Sequence, residues 1–217
     1  MALDPKLQKF TTASPVVASY SYTDIAEGTG MQIFYGSNSK EESTYSYHLL
    51  GTAIASDEIE TKANSTAEGN VKMLDLDFDI SEFNMPRDLK GTAYISIPFM
   101  AHEASGATSA YVIAKLRKWD GSSETEIASS QSDTINPASG VLERQKLLVR
   151  IVVPSTHFKK RETLRLTLEG WGATTSGEIN ITIGHDPKGR ITTDFPGTED
   201  YKVTTTLEVH IPFKLDL

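Results

Sequence analysis

Five histidines, at positions 48, 102, 157, 185 and 210, and the absence of any cysteine set the chemistry open to this chain of 217 residues. Imidazoles three or four residues apart on a helix hold zinc by presenting two ring nitrogens on one face. None of the five stands at such a spacing, and His102-Glu103, which opens like a helical zinc motif, runs on into Ala104-Ser105-Gly106. Without cysteine there is no disulfide framework, no thiolate nucleophile and no Cys-ligated zinc. No Gly-x-Ser-x-Gly elbow or Gly-x-x-x-x-Gly-Lys loop occurs, and Gly28-Thr29-Gly30 starts a dinucleotide fingerprint that has no βαβ unit around it. The sequence therefore predicts no catalytic residue, no cofactor and no metal centre, and a protein that is not an enzyme.

Two constellations still invite a ligand. Asp75, Asp77 and Asp79 alternate with Leu74, Leu76, Phe78 and Ile80, so on a strand the carboxylates project to one side about 6 to 7 Å apart. Three such charges repel. Either solvent and facing Lys or Arg relieve them, which is the expectation, or Ca²⁺ does so with loop carbonyls; the EF-hand glycine is replaced by Ile80. Tyr20 and Tyr22, and Tyr45 and Tyr47, are two apart, while Trp119 and Trp171 stand beside turns. Such rings can stack on sugars, but in strands they more often serve packing or a subunit interface. The net charge of -8 lies wholly in residues 1–86, with 5 basic and 13 acidic side chains, whereas residues 87–217 carry 16 of each. Arg144, Lys146, Arg150, Lys159, Lys160 and Arg161 form a basic run opposed only by Glu143. With a pI near 5.1, this run is expected on a solvated face or against the acidic part of a neighbouring copy, and nucleic acid is not an expected partner.

The elements that must carry these residues are strands. Period-2 alternation recurs in Ala93, Ile95, Ile97 and Phe99; in Ala110, Val112, Ala114 and Leu116; in Leu147, Val149, Ile151 and Val153; in Leu164, Leu166 and Leu168; in Ile179, Ile181 and Ile183; and from Val203 to Phe213. Met31–Tyr35 and Tyr45–Leu50 read as short strands around a polar tract from Gly36 to Thr44, and Ser56–Asn70 reads as a loop. Asp120-Gly121 marks a hairpin, and Asn136-Pro137, Ser139-Gly140, Gly170 to Gly177 and Gly184 to Gly189 mark loops. Only Pro137 to Leu148 has room for a short helix. Pro98, Pro154 and Pro212, lacking a ladder donor, belong at strand ends or sheet edges. The predicted fold is all-β, an antiparallel β-sandwich of jelly-roll type with roughly eight to ten strands. Residues 1–20 form an extended N-terminal arm and residues 21–217 a single domain. No run of about 18 apolar residues offers a membrane span, and no secretory signal is readable at the start, so synthesis in a cytoplasm is expected.

Tyr22 to Gly30 followed by Ile33-Phe34-Tyr35-Gly36, the tail Leu207 to Leu217, and the strand-turn-strand Ala110 to Ser129 resemble segments of small structural proteins of tailed bacteriophages. The resemblance implies an all-β module that decorates capsids, forms fibres or builds connectors, frequently as a trimer, and it carries over no functional residue. The expectation is a non-enzymatic virion structural protein, made in the host cytoplasm and located in the virion. It would act through protein–protein contacts in a homo-oligomer, a trimer before a dimer, and with other virion proteins. The alternative is a carbohydrate-binding β-sandwich module that uses the Tyr and Trp rings.

Overall fold

The computed structural model describes residues 29–42, 45–54, 56–103, 108–190 and 204–214. These hold eleven strands and no helix: β1 (Thr29–Glu42), β2 (Tyr45–Gly51), β3 (Glu60–Ser65), β4 (Gly69–Asp79), β5 (Arg87–Glu103), β6 (Thr108–Trp119), β7 (Glu124–Gln131), β8 (Leu142–Phe158), β9 (Thr163–Thr174), β10 (Ile179–Gly184) and β11 (Glu208–Lys214). They hydrogen-bond in the order β3-β10-β5-β11-β1-β2-β4-β9-β6-β7, with β8 on the other side of β5. All neighbours are antiparallel except β2 and β4, which run parallel through His48↔Phe78 and Leu49↔Asp79.

The sheet folds over on itself into a sandwich. A Cβ built on Gly170 of β9 would lie 2.7 Å from Ile181 of β10, although these strands stand far apart in the ladder. The alternation explains the closure. Each apolar row buries against the facing half, and Leu76, Phe78, Ile95, Phe99, Val112, Leu116, Val149, Ile151, Leu166, Ile181 and Val209 fall in one continuous core. Burying a side chain of this size is worth about 1.5–3 kcal/mol, and the outward residues between them cost nothing to leave wet.

Several local expectations change. The polar tract from Gly36 is strand, since β1 runs on to Glu42 and pairs with β2 across a register shift between Gly36 and Ser39. The segment read as a loop from Ser56 contains β3, a strand on the end of the sheet whose polar alternation has no apolar face to announce it. Gly170 and Gly172 lie inside β9, where a side chain would collide with the opposite layer. The stretch with room for a helix is irregular up to Val141 and then becomes β8. The hairpin at Asp120-Gly121 joins β6 to β7; Gly121 has φ 95°, and the Asp120 carboxylate accepts from the main-chain N–H of Ser122 and Ser123 at 2.9 and 2.8 Å. Pro98 and Pro212 lie inside strands that pair on both sides, not at strand ends or sheet edges as expected, and each of the three prolines stands where the ladder on one side is interrupted. Pro98 lies where β5 leaves β11 at Ser96 and takes up β10 at Phe99; Pro154 and Pro212 lie in register shifts opposite Gly91, whose φ of 128° admits the close approach of Pro212. The arm at 1–20, Val203, Tyr20 and Tyr22 lie outside the described residues.

Candidate functional site

Three residues from separate elements converge at one end of the sandwich. His48 lies on β2, Glu58 in the connection from β2 to β3, and His185 directly after β10. One ring nitrogen of each histidine and one carboxylate oxygen of Glu58 all lie within 4.8 Å of one another. Glycine makes the convergence possible. A Cβ on Gly36 would stand 3.2 Å from both the His185 Cβ and the Phe78 ring, and one on Gly184 would stand 2.9 Å from the Thr205 backbone.

Each member is held from behind. His48 stacks on Phe78 at 4.8 Å between ring centres and meets His185 edge-on at 4.6 Å. Glu58 Oε1 accepts from Ser39 N–H at 2.9 Å and from Ser39 Oγ at 2.5 Å, while Glu58 Oε2 lies 3.6 Å from His48 Nε2. His185 Nε2 is 2.9 Å from Thr61 Oγ1; its Nδ1 is buried with no hydrogen-bond partner. The connection carrying Glu58 is fastened by Asn38, whose side-chain oxygen accepts from Ser56 Oγ and Asp57 N–H, and by Arg190, which donates to the Ser56 carbonyl at 3.0 Å and pairs with buried Asp186 at 2.8 Å.

Burial pushes His185 down to about 4, with the neighbouring His48 ring acting in the same direction, and burial also holds His48 below the usual imidazole range. Burial works to raise Glu58, but the two Ser39 hydrogen bonds and the nearby imidazoles prevail and hold it below the usual carboxylate range. Near neutral pH the cluster is two neutral imidazoles and one carboxylate. That donor set suits a borderline divalent ion of the zinc type.

The acidic row behaves as a paired face. Asp75 bonds Lys72 at 2.6 Å. Asp77 accepts from Thr167 at 2.5 Å and lies 3.5 Å from Arg165 Nη1. Asp79 takes both Nε and Nη2 of Arg165, at 2.6 and 2.7 Å. The register explains this, because Asp77 faces Thr167 and Asp79 faces Arg165 across β4 and β9. Arg165 also bonds Glu124 at 2.6 Å and lies 5.0 Å over the Trp119 ring. Burial holds Asp77 above the usual carboxylate range.

Among the described residues, Tyr47, Trp119 and Trp171 do not gather into one platform. Trp171 stacks on Tyr111, its register partner, at 6.3 Å and 4°, and donates to Glu169 at 3.3 Å. Trp119 stands eight residues along β6 from Tyr111, about 26 Å away. Tyr47 lies under the Lys40 ammonium at 5.7 Å. Of the basic run, Lys146 and Arg150 point outward from β8, Lys146 before Leu148 and Arg150 between Leu148 and Val152, which are each 66% exposed. Lys146 reaches Glu208 at 3.4 Å, and Lys159, Lys160 and Arg161 are exposed in the turn after β8.

The sequence reading finds the Asp row and both tryptophans but misses the histidine cluster. Its members lie up to 137 positions apart on three elements, so no local spacing marks them.

No protein-family model matches the chain, and no curated protein does. What the fold defines is a class, the β-sandwich domain. The sandwich is similar to part of an aminopeptidase from the marine sediment archaeon Thaumarchaeota archaeon, with a TM-score of 0.51 at 8% identity over 87% of this chain and 37% of that one. It is also similar to part of an α-amino acid ester hydrolase, with a TM-score of 0.50 at 7% identity over 83% and 36%. The chain thus spans little more than a third of either hydrolase, and at these identities the likeness is one of fold alone. Looser likenesses, to a carbohydrate-binding module of the β-sandwich superfamily (TM-score 0.33, 12% identity) and to infectious bursal disease virus, Gx strain (0.27, 11%), carry no argument about this chain.

Proposed function

We propose that the chain is a non-enzymatic structural subunit of a virion that works through contacts with copies of itself, a trimer before a dimer, and with other virion proteins. The observation that carries this reading is the outer face of β8. Leu148 and Val152 stand two-thirds exposed on a strand of seventeen residues, separated by Arg150 and preceded by Lys146. Among the described residues β8 pairs with β5 only. An exposed apolar pair on an end strand invites association. The cations beside the pair favour an acidic neighbour, and the excess charge of -8 in residues 1–86 of a second copy supplies one.

Light scattering on the intact chain, on the double variant Leu148→Glu/Val152→Glu and on a chain lacking residues 2–19 tests the assembly. The intact chain should be oligomeric. The double variant should fall to monomer with an unchanged melting temperature, and the shortened chain should assemble more weakly. Mass spectrometry of purified particles from the source should find the chain. An intact protein that stays monomeric at high concentration, or particles without the chain, would sink the proposal.

A further inference from the structure

We propose that His48, Glu58 and His185 form a binding site for one zinc-type divalent cation, which fastens the β2–β3 connection to the end of β10. The donors already lie near coordinating positions. Tetrahedral zinc with bonds of about 2.0–2.1 Å sets its ligand atoms about 3.3 Å apart. His48 Nε2 and Glu58 Oε2 stand 3.6 Å apart, and no pair in the cluster exceeds 4.8 Å. Closing the set takes a side-chain shift on the order of 1 Å, which Glu58, on a surface connection with 38% of its side chain exposed, can supply.

Hydrogen bonding alone leaves the cluster unexplained. A separation of 3.6 Å is too long for a hydrogen bond, and His185 Nδ1 is a buried acceptor or donor with nothing to meet, a state that native interiors rarely tolerate. Two of the candidate ligands are also held by a neighbouring group: Ser39 bonds Glu58 Oε1, and Thr61 Oγ1 lies 2.9 Å from His185 Nε2. Outer bonds of this kind fix the tautomer and orientation of metal-binding imidazoles and carboxylates. With the Nε2–H of His185 given to Thr61, its Nδ1 keeps a free lone pair. Two nitrogen donors select against Ca²⁺ and Mg²⁺, which prefer oxygen. Three protein ligands leave a fourth position for water on the exposed Glu58 side.

The untagged full chain, stripped with a chelator, decides the matter by calorimetric titration with Zn²⁺ and by thermal unfolding. One zinc per chain should bind, and at free zinc about a hundredfold above Kd the melting temperature should rise by roughly 5–10 °C. Mg²⁺ should give no shift, and Co²⁺ should give the intense visible absorption of a tetrahedral site. Glu58→Gln and His48→Gln should each lose most of the zinc shift. Glu58→Gln, at the more exposed position, should melt like the parent protein without metal, so it decides the outcome even where His48→Gln fails to fold. No zinc-dependent shift in the folded parent, or a shift that persists undiminished in Glu58→Gln, would overturn the site.

Discussion

Arg165 is 5% exposed within β9 and satisfies two separate carboxylates, Asp79 through a pair of parallel bonds and Glu124 through a third. Asp79 is itself buried, so taking the cation away strands a charge that water cannot reach. Arg165→Met should therefore cost about 3–5 kcal/mol in urea unfolding at pH 7, and Arg165→Lys should recover only part, because an ammonium cannot reproduce the two parallel bonds. A loss below about 1 kcal/mol would mean that the pair behaves as an exposed one. The acidic side of this network is plain in the sequence, since three aspartates alternate with apolar residues. Its basic side is not, because register decides what faces what and register is a property of two strands. The same reason hides His48, Glu58 and His185, none of which has a ligand partner at short range.

Between the layers, the contact of β9 with β10 depends on a missing side chain. A methyl on Gly170 would meet Ile181 Cδ1 at 2.7 Å and Leu74 Cβ at 3.2 Å. Gly170→Ala should destabilise the fold by about 1–3 kcal/mol through overpacking. Ile181→Val, which removes the offending methyl, should be less harmful in combination with Gly170→Ala than in the parent protein; a double-mutant cycle in chemical unfolding reads the coupling, and strictly additive losses would disprove the contact. Strands such as β4, β6 and β8 can be read directly from the sequence because one face of each enters the core and its apolar residues repeat every second position. The second half of β1 and all of β3 cannot be read this way. There the chain is held by ladder hydrogen bonds while most side chains remain partly or fully in solvent, and main-chain pairing leaves no mark on composition. Gly170 and Gly172 mislead for the opposite cause, since a residue that signals a turn elsewhere serves here to let two layers approach.

For the molecule as a whole, the order of strands along the chain differs from their order across the sheet. β11, the last strand, is seated between β1 and β5, and it brings Val209, Ile211 and Phe213 into the core behind Leu207. Without residues 207–213 the sheet would have a slot down its middle and two unsatisfied edges, one on β1 and one on β5, so closing the core needs this strand. A chain that stops at residue 206 should be protease-sensitive and prone to aggregate. A synthetic peptide of residues 204–217 added in trans should restore protease resistance by filling the slot, and a truncated chain that resists protease unaided would refute the topology. That seam makes the protein divisible: a silent large fragment and a short strand, brought together, complete the fold.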